Sequence, residues 1–83
     1  MKIPNNENAV AMNTIELLDV VALVQDLPER GLQRGQVGTV VEELAPDVFE
    51  VEFSDNNGRT YATLALKTSQ LMLLHYEPLH QAS

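Results

Sequence analysis

The stretch Gly31-Leu-Gln-Arg-Gly-Gln-Val-Gly-Thr-Val-Val-Glu42 constrains this chain more than any other. Gly31, Gly35 and Gly38 punctuate it, and it ends in a β-branched apolar run. A chain with that pattern turns sharply, enters a strand, and bends the strand where a missing side chain lets backbones approach. The glycines are not spaced to cradle a phosphate, because no Lys-Ser or Lys-Thr and no helix follows them. The segment therefore predicts a small bent β-structure rather than a nucleotide loop.

Short strands flank it on both sides. Leu18-Asp-Val-Val-Ala-Leu-Val24 is the first, with Val20, Ala22 and Val24 on one face and Asp19, Val21 and Leu23 on the other. Apolar residues on both faces suggest cover from two sides. Asp26-Leu-Pro-Glu-Arg-Gly31 reads as a loop, since Pro28 cannot donate to a ladder. Gln36–Glu43 is the second strand, with Gly38 marking a bulge or a close backbone approach. Leu44-Ala-Pro-Asp47 is the next turn. In Val48-Phe-Glu-Val-Glu-Phe53, Phe49, Val51 and Phe53 alternate with Glu50 and Glu52, so the faces separate cleanly.

Asp55-Asn-Asn-Gly58 predicts a type I′ hairpin turn on Asn57-Gly58. Thr60–Leu66 returns as a fourth strand. Thr68-Ser-Gln-Leu71 reads as a single 3-10 turn capped by Thr68 or Ser69. Met72–Tyr76 is a final strand that would close a barrel beside the first. The expected fold is all-β: an SH3-like five-stranded bent barrel with one 3-10 turn and a flexible N-terminal tail. A five-stranded OB-type barrel is the alternative, but it usually carries a longer helix before its last strands. The expected organisation is a tail over 1–14, the barrel over 15–76 and a C-terminal tail over 77–83.

Eighty-three residues form at most one domain with a small core. A deep active site is not expected in so little protein. The chain has no cysteine, which removes disulfides and thiolate metal sites. No apolar run approaches the roughly 20 residues that span a bilayer, and the N-terminus lacks a signal-like stretch. The expectation is a cytoplasmic protein without membrane association.

Twelve acids against five bases give a net charge of −7. That balance repels phosphate backbones and suits a basic protein partner. Arg30, Arg34 and Arg59 fall in or beside turns and form the only candidate nucleic-acid rim.

No catalytic constellation emerges, so the chain is not expected to be an enzyme or to hold a cofactor or metal. Glu42, Glu43, Glu50 and Glu52 read as a solvated strand face rather than an acid/base pair. Asp55-Asn-Asn-Gly58 fails as a calcium loop, because its twelfth position is Leu66 instead of Glu. His75 and His80 are separated by a proline and suit no metal pair. Ser54, Ser69 and Ser83 carry no nucleophile motif.

The block from about Leu17 to Leu74 resembles a family of small bacterial proteins known as domain of unknown function 4926. The resemblance rests on Leu18-Asp-Val-Val21, Asp26-Leu-Pro-Glu-Arg-Gly-Leu32, Arg34-Gly-Gln-Val-Gly-Thr-Val-Val41 and Phe49-Glu-Val-Glu-Phe53. Asp55, Gly58-Arg-Thr60, Leu64-Ala-Leu66 and Gln70-Leu71 complete it. It implies a stand-alone small β-barrel in bacteria and carries no activity with it. Gly35–Val41 is also similar to KOW-type barrels, some of which bind RNA or ribosomal proteins, although those tend to be basic.

If the last strand packs beside the first, one set of alternating apolar side chains is left uncovered. Val21, Leu23, Met72, Leu74 and Tyr76 are the candidate partner-binding residues, to be met by a protein partner, a second subunit or Ala9-Val-Ala-Met12. The functional expectation is a non-enzymatic interaction module, an antitoxin- or immunity-like accessory to a neighbouring gene product. The alternative is an RNA- or ribosome-associated barrel.

Overall fold

Alternation and turn chemistry place five strands in the computed structural model, which describes residues 14–75. They are β1 (Val20–Leu23), β2 (Val37–Ala45), β3 (Val48–Ser54), β4 (Thr60–Lys67) and β5 (Leu71–Leu73). All neighbours pair antiparallel, in the order β4-β3-β2-β1-β5. The fold is all-β and SH3-like in strand order, with a 3-10 turn at Thr68–Gln70 immediately before the last strand. The sheet bends but does not close, because β4 and β5 remain its two edges. A second 3-10 turn, Pro28–Arg30, was not anticipated in the loop after β1. Most of the expected tail, together with Tyr76 and residues 77–83, lies outside the described residues.

The core forms on one side of the sheet. Phe53, Leu23, Val21, Val40 and Val51 are fully buried, and Phe49, Leu64, Leu66 and Leu71 join them. Leu27 and Leu32 also reach this cluster. They exchange both backbone hydrogen bonds, at 2.9 and 3.1 Å, and so pin the base of the Pro28–Gly31 loop. Gly31 ends the 3-10 turn there with a φ of 71°, a left-handed conformation that favours glycine.

Gly38 is the close approach its position suggested, and no bulge occurs at it. The bulges of β2 lie further on. Val40 pairs with Val51 and Glu42 with Glu50, leaving Val41 unpaired; Glu43 pairs with Phe49 and Ala45 with Val48, leaving Leu44 unpaired. Strand β2 therefore runs two residues beyond its expected end. The turn shrinks to Pro46 and Asp47, where proline fixes the first central φ and Asp47 takes a φ of 64°.

The β3–β4 hairpin is not type I′. Asn57 does not have positive φ; Gly58 does, at 81°. The Gly58 N–H donates to the Asp55 carbonyl at 3.0 Å, and the Asp55 N–H donates to the Arg59 carbonyl at 2.9 Å. This is a turn on Asn56-Asn57 followed by a left-handed glycine. The Asp55 carboxylate accepts from the N–H groups of Asn57 and Arg59, at 2.9 and 3.0 Å, which selects this turn over the alternative. Neither Thr68 nor Ser69 caps the later 3-10 turn: the Lys67 N–H donates to Gln70 Oε1 at 2.8 Å.

Candidate functional site

Strand β1 decides which surface is free. Val21 pairs with Gly38 and Leu73, and Leu23 pairs with Leu71, all on the core side. Val21 is 0% and Leu23 1% exposed. Both were candidate partner-binding residues, and both are instead core. The apolar content of β1 is nearly symmetric between its faces, so only its two partner strands could settle which face turned inward.

The outward side of β1 carries Val20, Ala22 and Val24. Across the sheet, Ala22 lies between Met72 on β5 and Val37 on β2. Met72 is 52% and Val37 46% exposed, while Ala22 between them is buried, so this apolar row, Met72–Ala22–Val37, is open to solvent at its two ends. One step along, the Leu74 N–H donates to the Val20 carbonyl, and Val20 pairs with Thr39. Leu74 is half-buried, and Tyr76 lies outside the described residues.

The same outward side turns acidic toward β3. Thr39 pairs with Glu52, and Glu52 pairs with Thr63. The extra residue at Val41 shifts the alternation of β2, so Glu42 faces outward opposite Glu50. Glu43 does not join them. It pairs with Phe49 and lines a shallow groove of about 480 Å³ with Thr14, Ile15 and Asp47. A second groove, of about 500 Å³, runs beside β5 and is lined by Ile15, Thr68, Ser69 and Leu71 among others. Neither groove is lined by a histidine, lysine or arginine among the described residues.

The three arginines sit at one end of the sheet. Arg30 and Arg34 belong to the loop before β2, and Arg59 to the β3–β4 hairpin, whose strand β3 ends opposite the start of β2. Acids share that end with them. The Arg34 N–H donates to Asp26 Oδ1 at 2.8 Å, Glu29 precedes Arg30 in the 3-10 turn, and Asp55 binds the Arg59 N–H. Gln36 Nε2 donates to the Tyr61 hydroxyl at 3.0 Å across the same end, and the Tyr61 ring lies 6.4 Å from that of Phe53.

His75 is exposed, and His80 lies outside the described residues. Among the described residues no group of three His, Cys, Asp or Glu could hold a metal ion, and no helix is long and apolar enough to cross a membrane.

Fold and surface together define a small all-β protein with an SH3-like strand order and an outward face divided into apolar and acidic zones. The family model described as domain of unknown function (DUF4926) matches residues 17–73, and the chain belongs to that family. No curated protein and no solved structure matches it.

The sequence pairs β1 with β5, as the structure does, but does not mark Val20, Ala22, Val24 and Val37 as the outward residues. The signal available was Gly38: a strand glycine under a packed core marks the inward face of β2 and leaves Val37 outward.

Proposed function

We propose that this protein is a non-enzymatic interaction module that docks another protein on the outward face of β5, β1 and β2. The observation that carries this reading is the Met72–Ala22–Val37 row, in which the exposed Met72 and Val37 flank a buried Ala22 on strands whose other face already packs the core. Val24, exposed at the end of β1 on the same side, extends the apolar surface, and apolar surface gathered on one face is the usual mark of an interface. An antitoxin- or immunity-like accessory role, with a partner encoded nearby, is the form of this reading that suits a small acidic domain with an apolar outward row. Binding to RNA has weaker support, because Asp26, Glu29 and Asp55 lie among the arginines that would contact phosphate.

The test is quantitative pull-down of the tagged chain from its host beside the variants Met72→Asp and Val37→Asp. Both positions are exposed, so the variants should fold. A stoichiometric protein retained by the native chain and lost with either variant is the expected result. A strictly monomeric chain that retains nothing, or retention unchanged by both variants, counts against the reading. A low-salt gel shift that weakens with salt and with Arg34→Ala would favour RNA instead.

A further inference from the structure

Resting on that docking reading, we infer that the occupant of this face is a cationic amphipathic segment: apolar side chains on the Met72–Ala22–Val37 row, and Lys or Arg on Glu42, Glu50 and Glu52.

The two zones abut in a fixed order. Thr39 has Val20 on one side and Glu52 on the other, so a single cross-strand row passes from apolar to acidic. The adjacent rows diverge from it, one fully apolar at Met72–Ala22–Val37 and one acidic at Glu42–Glu50. Side chains directly opposite on an antiparallel pair stand about 5 Å apart, and like charges there are destabilising. The Val41 bulge creates that juxtaposition, and a cation brought by a partner relieves it. Lys67, opposite Val48, is the only base on the outward side of β2–β4 among the described residues, and it leaves the patch negative.

Charge also selects against the other occupants. A second copy of this chain, itself carrying a net charge of −7, would set its own Glu42, Glu50 and Glu52 against the same acidic zone if the two faces met. An uncharged apolar segment would cover the row but leave Glu42 and Glu50 facing each other. An extended segment whose one face carries apolar residues along one half and Lys or Arg along the other matches both zones, because its same-face residues then meet the two zones in turn, and complementarity of this kind fixes partner choice more than raw affinity.

The experiment titrates the full chain, with backbone amide shifts as readout. Three synthetic peptides of about ten residues serve as probes, each with one face filled at every second position and Ser or Thr between: Val along one half and Lys along the other (Val–Lys), Val and Glu (Val–Glu), and Ser and Lys (Ser–Lys). The expected result is that the Val–Lys peptide shifts amides of β1, β5 and the Val37–Glu42 part of β2. Its affinity should fall roughly tenfold between about 50 and about 300 mM salt, and several-fold in the double variant Glu42→Gln/Glu50→Gln. The Val–Glu peptide should bind at least tenfold more weakly than Val–Lys.

Equal binding of Val–Glu and Val–Lys on this face overturns the charge assignment and leaves the docking reading standing. Binding of Ser–Lys as tight as that of Val–Lys overturns the role given to the apolar row. Shifts confined to the arginine end, or none with any peptide, overturn the inference. Partner capture sensitive to Met72→Asp alongside such a result would still support the docking reading.

Discussion

Gly38 lies directly opposite Phe53, and a methyl group on its Cα would stand 2.7 Å from Val51 Cγ1, 2.9 Å from the Glu52 carbonyl oxygen and 3.0 Å from Phe53 Cδ2. One of these neighbours is backbone and two are core side chains, so none can yield without disturbing the β2–β3 ladder. Gly38→Ala is expected to cost about 1–3 kcal/mol through overpacking. Urea unfolding should show a lower midpoint at an unchanged slope. Gly35→Ala is a useful contrast. An added methyl there meets nothing within 4 Å, but the φ of 95° makes it strained for a backbone reason instead.

The inward face of β1 can be tested by comparing two apolar truncations on paired strands. Leu23→Ala removes a fully buried side chain and should cost about 2–5 kcal/mol, enough to unfold much of so small a domain at room temperature. Met72→Ala truncates a side chain that is half in water and should change stability by less than about 0.5 kcal/mol. Thermal melts followed by circular dichroism decide the matter. Equal losses at the two sites would contradict the face assignment.

The Glu42–Glu50 pair should make itself felt in the free protein. Glu42→Gln is expected to stabilise the fold by about 0.2–1 kcal/mol at low ionic strength, because it removes one of two like charges facing each other across the ladder. The gain should shrink in high salt, which screens exposed charges. Glu43→Gln, whose residue faces Phe49 instead, should show no comparable salt-dependent gain. Melting temperatures measured in parallel at two salt concentrations give the comparison.

Asp55 holds the β3–β4 hairpin through two side-chain bonds to backbone N–H groups. Asp55→Ala should cost about 1 kcal/mol, since exposed amides regain part of the lost bonding from water. Asp55→Asn should recover most of it, because an amide oxygen can accept the same bonds. Hydrogen exchange at the Asn57 and Arg59 amides should speed up in the alanine variant and much less in the asparagine variant.

How much of this was legible in the chain differs from strand to strand. Phe49, Val51 and Phe53 alternate with two glutamates, and that asymmetry alone fixed both the strand and its buried face. Pro28, Pro46, Asp55 and the glycines marked the loops that join β1 to β4, because their backbone limits are properties of single residues, but nothing of the kind marked the turn at Leu17–Leu18, where Leu18 takes a φ of 71° and the first strand starts later than Leu18. The hairpin type was missed because the Asp55 side chain, rather than the Asn57-Gly58 dipeptide, chose it.

Strand β1 shows where local information ends. Its residues are apolar on both faces, so period-two alternation could not say whether Val21 or Val20 turned inward, and pairing with β2 and β5 made that choice. The same holds for the acidic zone. Glu42 and Glu43 are adjacent in sequence and equally polar, yet the unpaired Val41 sends Glu42 outward to Glu50 and Glu43 to the groove beside Phe49. The sequence by itself determined the family, the order of the strands and most of the turn positions, since these depend on residue type and short spacing. Tertiary pairing decided the outward apolar row, the opposed glutamates and the open edges, because register is set by hydrogen bonds between strands and not within them.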